Sequence, residues 1–135
     1  MKLRLIVLAC AALMACSSTT DVSTEFIGTF SMQSVNGSPL PFLVSQNGTS
    51  STSLTSDQLT IADGGTWSES GIERTVDNNG FATNNTYADN GTWTRSGSSL
   101  VLYSIPSNDT AWSGTFGTNT LSVSQGSSIN AVFVK

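Results

Sequence analysis

A short unit of glycine, threonine and an aromatic residue occurs four times in this chain, at Gly28-Thr29-Phe30, Gly65-Thr66-Trp67, Gly91-Thr92-Trp93 and Gly114-Thr115-Phe116. Each reads as the start of a strand: glycine allows the backbone geometry of the preceding turn, and the aromatic ring two positions on points to one face. Around these units, Thr, Ser, Val and aromatic residues alternate in short runs, and no stretch shows helical periodicity. The pattern predicts strands over 29–35, 41–44, 58–62, 66–75, 81–88, 92–95, 100–104, 111–116, 120–124 and 130–134. Turn signals separate most of them: Asn36-Gly37, Asp63-Gly64-Gly65, Asn79-Gly80, Asn90-Gly91, Ser96-Gly97 and Gln125-Gly126.

Two units continue into a partner with Leu-x-aliphatic spacing, Trp93 into Leu100 and Leu102, and Phe116 into Leu121 and Val123. Each makes a hairpin with one apolar face. The repeats are irregularly spaced, so the chain is a meander and not a solenoid or propeller. Hairpins in series with one apolar face must stack as two sheets or close on themselves, and closure removes the exposed edges. The expectation is an all-β, up-and-down barrel of about eight strands, with a two-sheet β-sandwich as the alternative. Phe30, Met32, Leu59, Ile61, Trp67, Trp93, Leu100, Leu102, Phe116, Leu121, Val123 and Phe133 would point inward. Among them Phe30, Trp67, Trp93 and Phe116 are the candidate lining of a pocket for a small apolar ligand. Trp112 stands out of phase with Phe116 if a bulge falls at Gly114.

The first residues carry a different signal. Lys2 and Arg4 precede an almost unbroken apolar run from Leu5 to Ala15, which ends at Cys16 and passes into polar SSTTDVSTE. A membrane-spanning helix needs about 20 apolar residues, so the run has the length and flanks of an export signal. Leu13-Met14-Ala15-Cys16 resembles the lipobox of bacterial lipoproteins, in which the cysteine thiol receives a diacylglyceryl group and the chain is cut before it. The organisation that follows is a lipoprotein signal peptide over 1–15, lipidated Cys16 with a Ser/Thr-rich tether over 16–27, and a β-barrel domain over 28–135. Two or more acyl chains anchor a protein stably. Ser17 stands where lipoproteins kept at the inner membrane commonly carry aspartate. The expected location is therefore the cell envelope, at the outer membrane facing the periplasm, with the membrane as partner through the lipid on Cys16.

Composition narrows the chemistry. Residues 16–135 keep three cations, Arg74, Arg95 and Lys135, against nine acids, a net of −6. Such a balance disfavours nucleic acid as a partner. The chain has no histidine, its only cysteine after cleavage would be acylated, and its only lysine there is the last residue. The usual bases and the thiol and amine nucleophiles are missing, as are zinc's preferred ligands. No cofactor or metal is expected. Glu69 and Glu73 share a strand face about 13 Å apart, farther than glycoside hydrolysis uses, and read as a solvated face. Asp77-Asn78-Asn79-Gly80 and Asp89-Asn90-Gly91 offer oxygen ligands without an established calcium-loop spacing, and read as turns.

The run from Gly28-Thr29-Phe30 through Ser34-Val35-Asn36-Gly37 to Leu40-Pro41, then Leu59-Thr60-Ile61 with Asp63-Gly64-Gly65-Thr66-Trp67, and the closing Val132-Phe133-Val134, resembles the lipocalin-like domains of small bacterial lipoproteins. The resemblance covers roughly residues 28 to 135. It implies a small barrel and an apolar ligand, with no activity and no functional residues to carry over. A non-enzymatic, membrane-anchored binding protein is the expectation. The alternative is a protein-interaction module, an inhibitor or envelope assembly factor, recognising a partner through the Ser/Thr/Asn-rich loop from Ser45 to Ser56.

Overall fold

A computed structural model describes residues 24–105 and 109–135. The expected signal peptide over 1–15, Cys16 and most of the expected tether lie outside the described residues. Ten strands follow a short 3-10 turn at Thr24–Phe26: β1 Gly28–Val35, β2 Ser38–Pro39, β3 Phe42–Asn47, β4 Ser50–Ala62, β5 Thr66–Val76, β6 Ala82–Ser96, β7 Ser99–Ser104, β8 Thr110–Gly117, β9 Thr120–Gln125 and β10 Ile129–Val134. They form one antiparallel sheet in the order β2-β1-β10-β9-β8-β7-β6-β5-β4-β3, and β1 also pairs with β4. That pairing closes β1 and β4 to β10 into an eight-stranded barrel, which excludes the two-sheet sandwich. β2 and β3 are extra strands outside the closed ring.

The turns sit where the chain can bend at low cost. Asn36 and Gly37 both have positive φ (50° and 79°), the geometry that joins two strands with matching twist. Gly64, Gly65, Gly80, Gly97 and Gly126 also lie at positive φ. Asn90-Gly91 departs from expectation: it is no turn, and 81–88 and 92–95 merge into the single strand β6. Gly91 is glycine for another reason. A Cβ there would run into the Tyr103 carbonyl and the Trp67 indole, whose Nε1 donates to that carbonyl oxygen at 3.1 Å. Gly114 likewise lies inside β8, against the backbone of Ser122. Only the first two Gly-Thr-aromatic units start strands.

The supposed loop over 45–56 is a second correction. These residues form the β3–β4 hairpin, in which Gln46 pairs with Ser51 and Leu43 with Ser53. Thr and Ser suit a half-exposed pleated surface, and apart from Leu54 this stretch lacks large apolar residues because it lies beyond the span over which β4 pairs with β1.

The core runs through the barrel's middle, where Phe30, Leu59, Ile61, Leu100, Leu102, Leu121 and Phe133 are essentially fully buried. One end is stoppered by Phe26. Its ring meets Trp93 edge-on at 5.2 Å and Phe116 at 5.3 Å, and the Arg95 guanidinium covers it at 4.2 Å. Lys135 ties the entering chain down by donating to the Ile27 carbonyl at 2.6 Å.

Candidate functional site

The opposite end is open. The β1–β4 ladder runs only from Gly28–Ile61 to Ser31–Gln58; beyond it β1 pairs with β10 and β4 with β3 and β5. Met32 and Val35 on one strand and Leu54 and Asp57 on the other line a cavity of about 330 Å³, within the range of small-molecule sites. Phe42, Val44 and Ile129 extend its apolar wall, and Glu69, Glu73, Tyr87, Asp89 and Trp112 face it from β5, β6 and β8.

Two irregularities aim these side chains. In β4, Leu54 pairs with Glu73 but Ser56 pairs with Ile72, leaving Thr55 as an extra residue. Such a bulge shifts the pleat by one residue, so Leu54 and Asp57, three apart, are both buried. In β8, Leu102 pairs with Trp112 but Tyr103 with Thr110, which makes Ala111 the extra residue. Ala111 and Trp112 are therefore adjacent and both buried. The bulge falls here and not at Gly114, and it places the Trp112 indole in the cavity.

Among the described residues Asp57 and Glu69 are the two buried charged ones, at 3 % and 7 % exposure. Glu69 is thus no solvated residue. It follows Trp67 by two positions, and period-two alternation carries it inward with the ring. Its Oε2 accepts from Trp112 Nε1 at 3.1 Å, and its carboxyl hydrogen-bonds Asp57. Burial first, and then the neighbouring Asp57 charge, push the Glu69 carboxyl up to about 8. Near neutral pH it carries a proton and donates it to Asp57. Asp57 is also raised by burial, against the pull of hydrogen bonds from Glu69, Tyr87 and the backbone of Gln58. Asp57 Oδ1 is buried and has no hydrogen-bond partner, while Oδ2 accepts from the Tyr87 hydroxyl at 2.8 Å.

Gly71 permits this convergence. It pairs with Asp57 on one side and Tyr87 on the other, and the Tyr87 ring occupies the space where a Cβ on Gly71 would stand. Tyr87 crosses over the glycine to reach Asp57. Burial and the bond to Asp57 both raise the phenol above its ordinary value. Asp89, on the Glu69 row, accepts from Ser104 Oγ at 2.9 Å.

The four aromatic residues singled out as pocket candidates are placed differently. Phe30 and Trp67 are buried in the core, while Trp93 and Phe116 are half-buried against Phe26 at the stoppered end. None of the four lines the cavity at the open end. Met32 lines it as an inward residue of β1, while charge conceals Asp57 and Glu69 in the sequence and a bulge conceals Trp112. The signal that could have found Asp57 and Glu69 is their period-two spacing from Leu59 and Trp67. The Asp77 loop is a turn, its Oδ1 accepting from the Asn79 and Phe81 amides at 2.8 and 2.9 Å. Among the described residues no cluster of side chains suits a metal ion. Comparison with protein-family models, curated proteins and solved structures finds no match for this chain.

Proposed function

We propose that this protein is a lipid-anchored envelope protein that holds a small, mainly apolar molecule in the open end of its barrel, without catalysis. The observation that supports the reading is the cavity of about 330 Å³, walled by Met32, Val35, Phe42, Leu54 and Ile129 and floored by a buried polar group. A barrel of this size is either filled by its own side chains or left with room for one small ligand, and here the middle is filled while the end walled by Met32 and Leu54 is open. The lipocalin-like resemblance of residues 28–135 agrees with it. The two carboxyls, within hydrogen-bonding distance of each other, leave no room for the water or sugar that glycosidase pairs accommodate.

Anchoring rests on Leu13-Met14-Ala15-Cys16, and Ser17 after it supports a location at the outer membrane, facing the periplasm. Metabolic labelling with palmitate tests it: the protein incorporates label and fractionates with membranes, and Cys16→Ser does neither. For the ligand, the experiment is native mass spectrometry of a form secreted without Cys16. An added mass taken up from an envelope lipid extract, and lost when Leu54→Trp fills the cavity of a folded variant, supports the reading; a clean apo mass under both conditions refutes it.

A second reading has one observation in its favour. β3 is the last strand of the sheet, with Leu43 and Val44 each 50 % exposed. An unpaired edge with apolar side chains suits recognition of an envelope protein by strand addition. Loss of partner capture in Leu43→Lys, with ligand uptake intact, would favour this role.

A further inference from the structure

The groups that face the open cavity are one-sided in charge. β4 contributes Asp57, β5 Glu69 and Glu73, and β6 Tyr87 and Asp89, while β1, β3, β8, β9 and β10 contribute only apolar residues, Trp112 and Gln125. No lysine or arginine lines it. The cations among the described residues are engaged or turned elsewhere: Arg95 lies over Phe26 and Lys135 bonds the Glu25 and Ile27 carbonyls, both at the stoppered end. Arg74 is exposed on β5, and as the neighbour of Glu73 it points to the outer face. Buried carboxyls are ordinarily paired with a cation or a set of donors. At the floor, Asp57 lines the cavity while only 3 % exposed, and its buried Oδ1 has no hydrogen-bond partner.

We propose that the occupant of the cavity is a small amphiphilic cation, an apolar body bearing one protonated amine, whose ammonium group sits between the Asp57 and Glu69 carboxyls in place of the proton they share. The inference rests on the reading of the cavity as a binding site. An ammonium supplies the donor that Asp57 Oδ1 lacks, while Glu69 ionises and releases one proton to solvent. Charge inside the site is unchanged by the exchange, one proton leaving as one cation enters. The Tyr87 and Trp112 rings add π faces that attract a cation, and the apolar wall covers the rest of the molecule. A fatty acid or other anion would meet four carboxyl side chains and no counter-charge. A neutral molecule offers at most an uncharged donor to Oδ1 and leaves the buried negative charge uncompensated. The volume holds roughly ten heavy atoms, at the ~30 Å³ that a water occupies, and the chain's net charge of −4 draws cations towards it.

The test is calorimetry on the purified full-length protein with cyclohexylmethylammonium and its uncharged counterpart of the same shape, cyclohexylmethanol. Titrations at pH 7 in two buffers of different protonation enthalpy count the protons released. The ammonium is expected to bind at least about tenfold more tightly than the alcohol, as charge-assisted bonds require, with release of a proton, and to gain affinity as pH rises towards 8. In Asp57→Asn the two affinities converge; Glu69→Gln, a second variant, also narrows the gap and abolishes proton release. Equal binding of the two probes without proton release overturns the cation inference and leaves the cavity a binding site. If neither probe binds and no mass is taken up from the lipid extract, both readings fall.

Discussion

Asp57 and Glu69 lie diagonally across the β4–β5 ladder, on rows paired through Gly71 and Leu59 respectively, and share a proton inside the barrel. Their proximity links folding to pH in an unusual direction. Glu69 gives up its proton near 4.5 in an unfolded chain but only near 8 in the folded one. Between those values the folded state binds the extra proton, so raising the pH favours unfolding. The stabilisation is complete below about 4.5 and lost progressively as pH approaches 8, at about 1.4 kcal/mol for each pH unit. Asp57, also raised, acts in the same sense. Urea titrations from pH 5 to 9 should therefore show falling stability. Glu69→Gln, neutral at every pH and still able to donate to Asp57, should flatten the profile and exceed the native protein above pH 8. A native profile that rises with pH would contradict the shared proton.

The glycine beneath this pair gives a sharper structural test. A Cβ on Gly71 would overlap the Tyr87 ring, so Gly71→Ala must displace the ring and break its bond to Asp57. Overpacking of this kind costs about 1–3 kcal/mol, and the loss of a donor to a buried carboxylate about 1.5–3 kcal/mol. Tyr87→Phe should show the second cost without the first. In a Tyr87→Ala background the Gly71→Ala penalty should largely disappear, because the overlapping ring is gone; chemical denaturation of the four proteins measures the coupling. Additive penalties would show that Gly71 serves the backbone and not the ring.

Legibility in the sequence followed the pleat wherever the pleat was regular. Leu59 and Ile61, Leu100 and Leu102, and Leu121 and Val123 alternate without interruption, and all are buried. Closure was legible too, because one-faced hairpins in series have no other way to hide their edges. The site was misread for two physical reasons. Asp57 and Glu69 occupy inward positions of the same alternation as Leu59 and Trp67, but a carboxylate on a strand ordinarily marks the outer face. Charge is tolerated here because two carboxyls share a proton and because Tyr87 and Trp112 donate to them. Trp112 was not placeable from spacing, since the extra residue Ala111 resets the count and no residue type at that position announces a bulge. Asn90-Gly91 misled for the opposite reason: a turn sequence is present, and the glycine is there to admit the Tyr103 carbonyl and the Trp67 indole.

The stopper at the far end shows that the barrel begins before the first strand. Phe26 is 2 % exposed, against Trp93, Phe116 and Arg95, so a chain starting at Gly28 would leave an apolar hole. Phe26→Ala should destabilise by about 3–5 kcal/mol, as for other buried aromatic truncations. Deletion through Ile27 should do at least as much, because it also removes the carbonyl to which Lys135 donates. Thermal unfolding of forms beginning at Ser17 and at Gly28 measures this; equal midpoints would mean that the segment only rests on the barrel.

Trp112 offers an optical reading of the site that needs no ligand. Its indole Nε1 donates to Glu69 Oε2 at 3.1 Å, and that bond strengthens when the carboxyl ionises, because hydrogen bonds to a charged acceptor are roughly twice as strong as neutral ones. The emission of Trp112, isolated as the difference between the native protein and Trp112→Phe, should titrate with a midpoint near the value of about 8 at which Glu69 ionises. Glu69→Gln should abolish the transition while leaving the tryptophan buried. Trp112→Phe should in turn raise Glu69 further, since the indole bond is the interaction that lowers it, and so extend the loss of stability to higher pH. A titration that survives in Glu69→Gln would assign the change to Asp57, and would mean that the proton at neutral pH is not held on Glu69.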